Sequence, residues 1–219
     1  MFQNNLIFIK IIVQHLITYC VYSIETTETL RILKTEINSL SDKELVSLCA
    51  KGAETGYAQF YHRYSKLVFN SVYRLVVDLS EAEDLTQDIF VSIFSDIQKL
   101  QDIEQLGAWL KRVAINKSIS HLRKKKVYFT DIENASIIDE GEELLIEKYE
   151  LEDKIIEIQK AIENLPADAR TIVNLFLFEN IPQEEIANML GISNTTVRSK
   201  YHRAKQKIAQ ILQQTMYYE

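Results

Sequence analysis

Residues 183–207, QEEIANMLGISNTTVRSKYHRAKQK, restrict the fold of this chain more than any other stretch. The first part has apolar residues at helical spacing on one face, namely Ile186, Ala187 and Leu190. Gly191 can then adopt the positive φ angle that ends a helix. Ser193 is positioned to cap a second helix, because its side chain can accept a hydrogen bond from the amide of Thr196. This order of helix, glycine turn and capped helix predicts a helix-turn-helix.

The second predicted helix has two contrasting faces. Its buried stripe consists of Val197, Tyr201, Ala204, Ile208 and Ile211. Its opposite face holds Thr195, Ser199, His202 and Gln206, flanked by Thr196, Arg198 and Arg203. No acidic residue lies between Glu185 and Glu219, whereas five lysines and arginines do. Such a face suits a DNA major groove lined by phosphates. A helical hairpin with a solvated basic face is the alternative; the turn, the cap and the cations together favour DNA binding.

Glycine and proline are rare in this chain, and their positions mark helix ends. The 219 residues include 5 Gly and 2 Pro. They are Gly52, Gly56, Gly107, Gly141, Gly191, Pro166 and Pro182. Each lies where a helix would otherwise be broken or begun, so long helical segments run between them. The sequence therefore predicts an all-α protein.

The net charge of −6 is concentrated in one segment. Residues 127–164 contain 3 Lys and Arg against 12 Asp and Glu, a net charge of −9. Residues 1–41 are neutral, residues 42–126 carry +2 and residues 165–219 carry +1. This pattern predicts two small helical domains that face DNA, joined by an acidic linker. We expect an N-terminal extension at residues 1–40, domains at residues 41–126 and 153–219, and the linker at residues 127–152.

The sequence offers no pattern for catalysis or for a bound metal. Cys20 and Cys49 are too few and too isolated for a disulfide framework or a zinc cluster. The four histidines are scattered without the spacing of ligands. No carboxylate pair, nucleophilic triad or phosphate-binding loop supports an enzyme. We therefore expect a non-enzymatic protein of a reducing compartment, the cytoplasm, with no metal, cofactor or small-molecule substrate.

The role of the apolar stretch at residues 6–22 is open from the sequence. Lys10, Gln14 and His15 interrupt it, its length is marginal for a bilayer span, and no small-residue cleavage site follows it. A packing helix, or an extension produced by an upstream translation start, is favoured over a membrane anchor. The start-site explanation meets the obstacle that no Met occurs between Met1 and Met189.

The first domain is predicted to begin at a helix cap. Ser41 and Glu44 form a capping-box pattern. Residues at helical spacing then predict hydrophobic core, namely Tyr57, Phe60, Tyr61, Tyr64, Leu67 and Val68. A further helix begins near Ser80 and buries Leu85, Ile89, Phe90 and Phe94. Its outer face is a polar stripe of Asp84, Gln87, Asp88 and Ser95. Such a stripe can dock a basic partner helix, although most polar helix faces are merely solvated.

Residues 107–126, GAWLKRVAINKSISHLRKKK, predict a helix that is covered on two sides. One side carries Ala108, Ile115, Ile119 and Leu122, and the other carries Leu110, Val113 and Ala114. The exposed stripe between them consists of Trp109, Arg112, Asn116, Ser120 and Arg123. Trp109 beside Arg112 and Asn116 suggests a surface where bases stack on an aromatic ring or are read by an amide. The alternative is that Trp109 only covers the edge of the core.

The order of three segments resembles a bacterial extracytoplasmic-function (ECF) sigma factor. They are AEDLTQDIFVSIF, GAWLKRVAINKSISHLRKKK and, after the acidic linker, LPADARTIVNLFLFENIPQEEIANMLGISNTTVRSKYHRAKQKI. The resemblance covers residues 41–126 and 153–212. It implies a factor that binds core RNA polymerase and directs initiation at specific promoters, including promoter melting. The implied partners are core RNA polymerase, through its β′ clamp helices and its β subunit, promoter DNA and an anti-sigma factor.

The resemblance also implies a role for each polar surface. The contact with the β′ clamp helices matches Asp84, Gln87 and Asp88. The near promoter element matches Trp109, Arg112, Asn116, Ser120, Arg123 and Lys124, and residues 123–126 would meet phosphates. The loop at residues 101–107 would hold a flipped non-template base. The distant promoter element matches Thr195, Thr196, Arg198, Ser199, His202 and Arg203. The linker would run toward the RNA exit path of the polymerase.

Three features depart from the pattern of this family. Pro182 replaces a more usual Ser near the start of the helix-turn-helix, although proline is acceptable in a first helical turn. Residues 1–40 have no counterpart in the short members, and the loop at residues 101–107 lacks aromatic residues and proline.

Two other classes of function stay open. One is a helix-turn-helix regulator without polymerase docking, which leaves the Asp84 stripe and the Trp109 helix unexplained. The other is a membrane-tethered adaptor that uses residues 6–22.

Overall fold

A computed structural model of the chain describes residues 40–125 and 151–216, with side chains at residues 40–125 and 157–212. All regular structure in these stretches is helical. The elements are α1 (Asp42–Ala50), α2 (Glu54–Val76), α3 (Leu79–Ser95), a 3₁₀ turn (Ile97–Leu100), α4 (Leu106–Lys124), α5 (Leu151–Glu163), α6 (Ala167–Leu177), α7 (Gln183–Leu190) and α8 (Asn194–Met216). The prediction of an all-α protein is confirmed.

Residue contacts divide the chain into two compact units, residues 1–118 and residues 119–219. The division falls inside α4. The predicted boundaries of the domains and of the acidic linker stay predictions, because most of the linker lies outside the described residues. None of the described helices combines the length and the apolar character that a membrane crossing needs. The apolar stretch at residues 6–22 also lies outside the described part of the chain.

The local helix signals of the sequence are confirmed. The Ser41 side chain accepts a hydrogen bond from the Glu44 amide at 3.3 Å, and the Glu44 carboxylate accepts one from the Ser41 amide at 2.8 Å. Gly191 ends α7 with a φ angle of 70°. Ser193 accepts a hydrogen bond from the Thr196 amide at 3.2 Å. These four signals therefore set the start of α1 and the turn between α7 and α8.

Four residues tie the start of α1 to α2. Asp42 Oδ1 accepts hydrogen bonds from Arg63 Nη1 at 3.0 Å and from the Tyr64 hydroxyl. Arg63 Nη2 also donates to the Leu40 carbonyl at 2.8 Å. We refer to Leu40, Asp42, Arg63 and Tyr64 as the N-terminal clasp. The clasp holds the backbone on both sides of Ser41 against the middle of α2.

Aromatic side chains form the centre of the first unit. Phe60 and Phe90 are fully buried, and the rings of Phe60 and Phe94 meet edge to face with centroids 5.5 Å apart. The prediction that the aromatic residues of α2 form core is confirmed. Helices α1 and α2 approach closely at Gly56, where an added Cβ would lie 2.9 Å from the Leu48 Cβ. Only glycine fits this crossing without movement of α1.

The turn between α2 and α3 contains a strained residue. Val77 has a φ angle of 68° and a ψ angle of −34°, which β-branched residues rarely adopt. Its amide donates to the Tyr73 carbonyl at 2.8 Å and so ends α2. Asp78 then caps α3 by accepting a hydrogen bond from the Glu81 amide at 2.9 Å. Two residues thus suffice to reverse the chain and start α3.

In the second unit, charged side chains connect α6 to its neighbours. Arg170 Nη1 donates to the carbonyls of Glu163 at 2.9 Å and Leu165 at 3.4 Å, at the end of α5. Lys200 of α8 forms an ion pair with Asp168 of α6, with 2.6 Å between Nζ and Oδ2. An apolar cluster accompanies these contacts and contains Ile162, Leu165, Val173 and Ala204. Both helices that flank α6 in this cluster are therefore held by its first turn.

Candidate protein and nucleic-acid interfaces

The outer face of α3 is acidic and its inner face is apolar. Ile89 and Phe90 are fully buried, whereas Asp84 and Asp88 are exposed and Gln87 is half-buried. The sequence of α3 contains four carboxylates and no cation. The predicted polar stripe is therefore at the surface, and its charge is complementary to a basic partner.

Helix α4 presents a polar row opposite its buried side. Leu110 and Ala114 are fully buried. The exposed members of the row are Arg112, Asn116, Ser120, Arg123 and Lys124. Ala108 was predicted to point inward and is exposed instead. The reason is geometric, because Ala108 precedes Arg112 by four residues and so lies on the same helix face.

Trp109 is half-buried and packs against the aromatic core of the first unit. The prediction that Trp109 is exposed is therefore wrong, because its indole ring packs against apolar neighbours in the core of the first unit. This position matches the alternative, in which Trp109 covers the edge of the core. A contact between Trp109 and DNA stays a prediction.

The loop that precedes α4 is shorter than predicted. Helix α4 begins at Leu106, which is buried, so residues 106 and 107 are helical and the loop spans residues 101–105. The Trp109 amide donates to the Gln105 carbonyl at 3.0 Å, which closes the first turn of the helix. Ile103 packs against the core, and the other loop side chains are exposed. An unpaired base would therefore meet amide and carboxylate groups here.

The reading face of α8 is narrower than predicted. Thr195, Arg198 and Arg203 are exposed, and His202 is half-buried. The prediction of an exposed side chain is wrong for Thr196 and Ser199, which are 0% and 3% exposed. For Thr196 the reason is its hydroxyl, which accepts a hydrogen bond from the Ser193 hydroxyl at 2.9 Å within the capping turn.

Lys200 and Tyr201 hold α8 against α6. The side chain of Lys200 is 11% exposed, and Asp168 compensates its charge. The Tyr201 ring meets Phe176 edge to face at 4.8 Å, and burial raises the pKa of the Tyr201 hydroxyl. Lys200 is one of the five lysines and arginines that the sequence predicts on the DNA face. Its spacing of three residues from Val197 was the signal that it lies near the buried stripe.

Two family models match separate stretches of the chain. Residues 60–127 match Sigma-70 region 2, and residues 155–208 match Sigma-70, region 4. The first stretch contains α3 and α4, and the second contains α6, α7 and residues 194–208 of α8. All three candidate surfaces therefore lie within matched residues.

Similar proteins match the chain over most of their length. The RNA polymerase sigma-H factor of Pseudomonas aeruginosa is 30% identical over 182 residues, which cover 78% of this chain and 94% of the relative. The ECF RNA polymerase sigma factor SigW of Bacillus subtilis is 27% identical over 177 residues, covering 76% and 94%. A solved structure of CnrH in complex with the cytosolic domain of CnrY is 18% identical, with a TM-score of 0.44 and coverage of 78% and 97%. The two sequence likenesses are thus to whole proteins rather than to one shared module.

Proposed function

Because the chain belongs to the ECF RNA polymerase sigma factors, we propose that α3 docks on core polymerase while α4 and α8 read two promoter elements. The chain binds core RNA polymerase and directs transcription initiation. The assignment of these surfaces rests on the separation of acidic and basic residues onto different helices. Helix α3 has no cation, whereas α4 and α8 expose several. A helix-turn-helix regulator that acts without polymerase would have no use for the outer face of α3.

Docking on polymerase is assigned to Asp84, Gln87 and Asp88. The two carboxylates are exposed on a helix whose opposite side is fixed in the aromatic core, so their positions are set before the partner arrives. A preset row of carboxylates favours association with a basic helix both through its charge and through its low ordering cost. The β′ clamp helices of polymerase are the partner that this surface would take, with further contacts to the β subunit.

Promoter recognition is divided between α4 and α8. The row of Arg112, Asn116, Ser120, Arg123 and Lys124 would meet the near element. Three exposed residues, Thr195, Arg198 and Arg203, would read the distant element together with the half-buried His202. The buried residues Thr196 and Ser199 would support α8 from inside. Melting would begin when the loop at residues 101–105 captures an unpaired base, which offsets an unstacking cost of roughly a few kcal/mol.

The protein acts as an initiation factor that uses the active site of polymerase and has no catalytic activity of its own. Its place of action is the cytoplasm, where promoter DNA and polymerase meet. The acidic face of α3 and the basic faces of α4 and α8 are exposed and opposite in charge. A single partner with complementary patches could cover them, so we assign an anti-sigma factor as the regulator.

Charge reversal on α3 tests the docking assignment. Asp88→Arg should weaken binding of the full chain to purified core polymerase by about tenfold or more, because it places a cation against a basic partner. Glu54→Arg is the matched control, since Glu54 is an exposed carboxylate in α2 outside the stripe. It should change the affinity by less than about twofold. Equal binding by the two variants would refute the assignment.

Transcription from a promoter library with core polymerase tests the function itself. Absence of any promoter-specific transcript would contradict it.

A further inference from the structure

The ion pair between Lys200 and Asp168 neutralises a cation on the helix that faces DNA. Lys200 Nζ lies 2.6 Å from Asp168 Oδ2, and the two side chains are 11% and 26% exposed. The other carboxylate oxygen, Oδ1, accepts a hydrogen bond from the Ala169 amide at 2.8 Å. Asp168 also lies in the first turn of α6, where the helix dipole favours a negative charge. The carboxylate is therefore held in one orientation, with Oδ2 toward Lys200.

Lys200 lies at the level of α8 where a DNA backbone would pass. It follows Asn194, the first residue of α8, by six residues, which is about 9 Å along the axis at roughly 1.5 Å per residue. A major groove is about 8.5 Å deep, so a helix that enters by its N-terminal end has this level at the rim of the groove, where the phosphates lie. Without its partner, the long side chain of Lys200 could extend into solvent and reach them.

We propose that Asp168 competes with the DNA phosphates for Lys200. This inference rests on the proposed function of α8 as a DNA reader. The Asp168 carboxylate gives the ammonium group the contact that a phosphate oxygen would otherwise give. A cation that pairs with phosphate adds affinity for every DNA sequence alike, because the backbone carries no direct sequence information. Asp168 therefore lowers the affinity of the second unit for DNA in general and leaves the base contacts assigned to Arg198 unchanged.

The ion pair matters most for the free factor, before it binds polymerase. Sites without a promoter vastly outnumber promoters in a genome, so each additional phosphate contact raises the fraction of the factor that is held on such sites. With Lys200 neutralised inside the protein, less of the factor is retained on DNA and more is available to core polymerase. The pair thus favours assembly with polymerase over premature binding to DNA.

The salt dependence of DNA binding tests this inference. Binding of the full chain to a labelled duplex of random sequence is measured by anisotropy over a series of salt concentrations. Asp168→Asn should make the slope of log affinity against log salt concentration steeper by about 0.9, as expected for one additional phosphate contact, and should raise the affinity roughly fivefold to tenfold at about 0.1 M salt. Lys200→Met should leave the slope unchanged, because this cation is already neutralised.

Two further variants identify the cation that Asp168→Asn releases. The double variant Asp168→Asn, Lys200→Met should return to the slope of the unaltered protein. Glu163→Gln makes the same change in net charge at an exposed carboxylate of α5 and should shift the slope by less than about 0.3. Thermal unfolding of each variant confirms that binding is measured on folded protein. A purely structural ion pair would change the unfolding temperature and leave the slope as it is.

Two outcomes would overturn the inference alone. An unchanged slope for Asp168→Asn would mean that the pair only holds α8 against α6, and a shallower slope for Lys200→Met would mean that Lys200 already contacts phosphate. Arg203→Ala separates these failures from a failure of the proposed function. It removes an exposed cation of α8 and should make the slope shallower. If Arg203→Ala has no effect on DNA binding, the proposed role of α8 fails, and this inference fails with it.

Discussion

Val77 adopts a φ angle of 68° although its side chain is branched at the β-carbon. A left-handed backbone costs an L-residue about 1–2 kcal/mol, whereas glycine adopts it freely. The residues around Val77 contain no glycine or proline that would identify such a turn. Val77 joins two helices that pack against each other, α2 and α3, and a local sequence pattern does not encode that packing.

Replacement of Val77 by glycine should therefore stabilise the protein. Val77→Gly is expected to raise the free energy of unfolding by about 0.5–1 kcal/mol, because relief of backbone strain exceeds the added chain entropy of the unfolded state. Urea unfolding measures the change. Val91→Gly is the control, since Val91 is half-buried in the interior of α3. That variant should lose more than about 1 kcal/mol. If both variants lose stability alike, Val77 is not strained in solution.

At the scale of the element, helical periodicity predicted which faces of α3, α4 and α8 are polar, but it did not predict how deeply each side chain is buried. Each residue turns the helix by about 100°, so a polar residue beside the buried stripe can fall on either side of the surface. Ser199 is buried for this reason, whereas Thr196 is buried because its hydroxyl takes part in the capping turn. The ion pair between Lys200 and Asp168 could not be predicted from the sequence either, because the two residues lie 32 positions apart on different helices. Gly191 was predicted correctly, since its role depends on adjacent residues alone.

The reading face of α8 makes a prediction about promoter sequence. Arg198→Ala should weaken holoenzyme binding by about 1–3 kcal/mol at one base position of the distant element, as expected for a paired base contact. Binding to promoters that differ at single positions measures this. Lys205→Ala, an exposed cation outside the predicted set, should show no such position dependence. A loss that is uniform across all promoters would instead make Arg198 a phosphate contact.

Across the whole molecule, several buried groups share one response to alkali. Burial raises the pKa of Cys49 to about 12 and raises the pKa of Tyr57, Tyr64 and Tyr201, with the hydrogen bond to Asp42 adding to the effect at Tyr64. The folded chain therefore keeps these groups protonated at a pH where the unfolded chain ionises them. Their contribution to stability is complete below the unfolded pKa, about 8.5 for a thiol, and is lost as the pH rises toward the folded pKa.

Alkaline unfolding tests the contribution of Cys49. Between about pH 7.5 and pH 10 the protein should lose roughly 2 kcal/mol more unfolding free energy than Cys49→Ala loses. The reason is that the unfolded chain releases the Cys49 proton in that range while the folded chain keeps it, and the tyrosines are common to both proteins. Guanidinium unfolding at a series of pH values provides the comparison. Parallel curves for the two proteins would show that Cys49 is accessible to hydroxide in the folded state.

The N-terminal clasp determines how the first unit would respond to tension. Arg63 holds the Leu40 carbonyl and the Asp42 carboxylate from the middle of α2. Force applied to the residues that precede Leu40 would therefore be transmitted through Arg63 to α2. It would not detach α1 from α2 turn by turn, beginning at the first turn of α1. For immobilisation on a sensor surface or in a force measurement, this makes the N-terminal side of the chain a suitable handle.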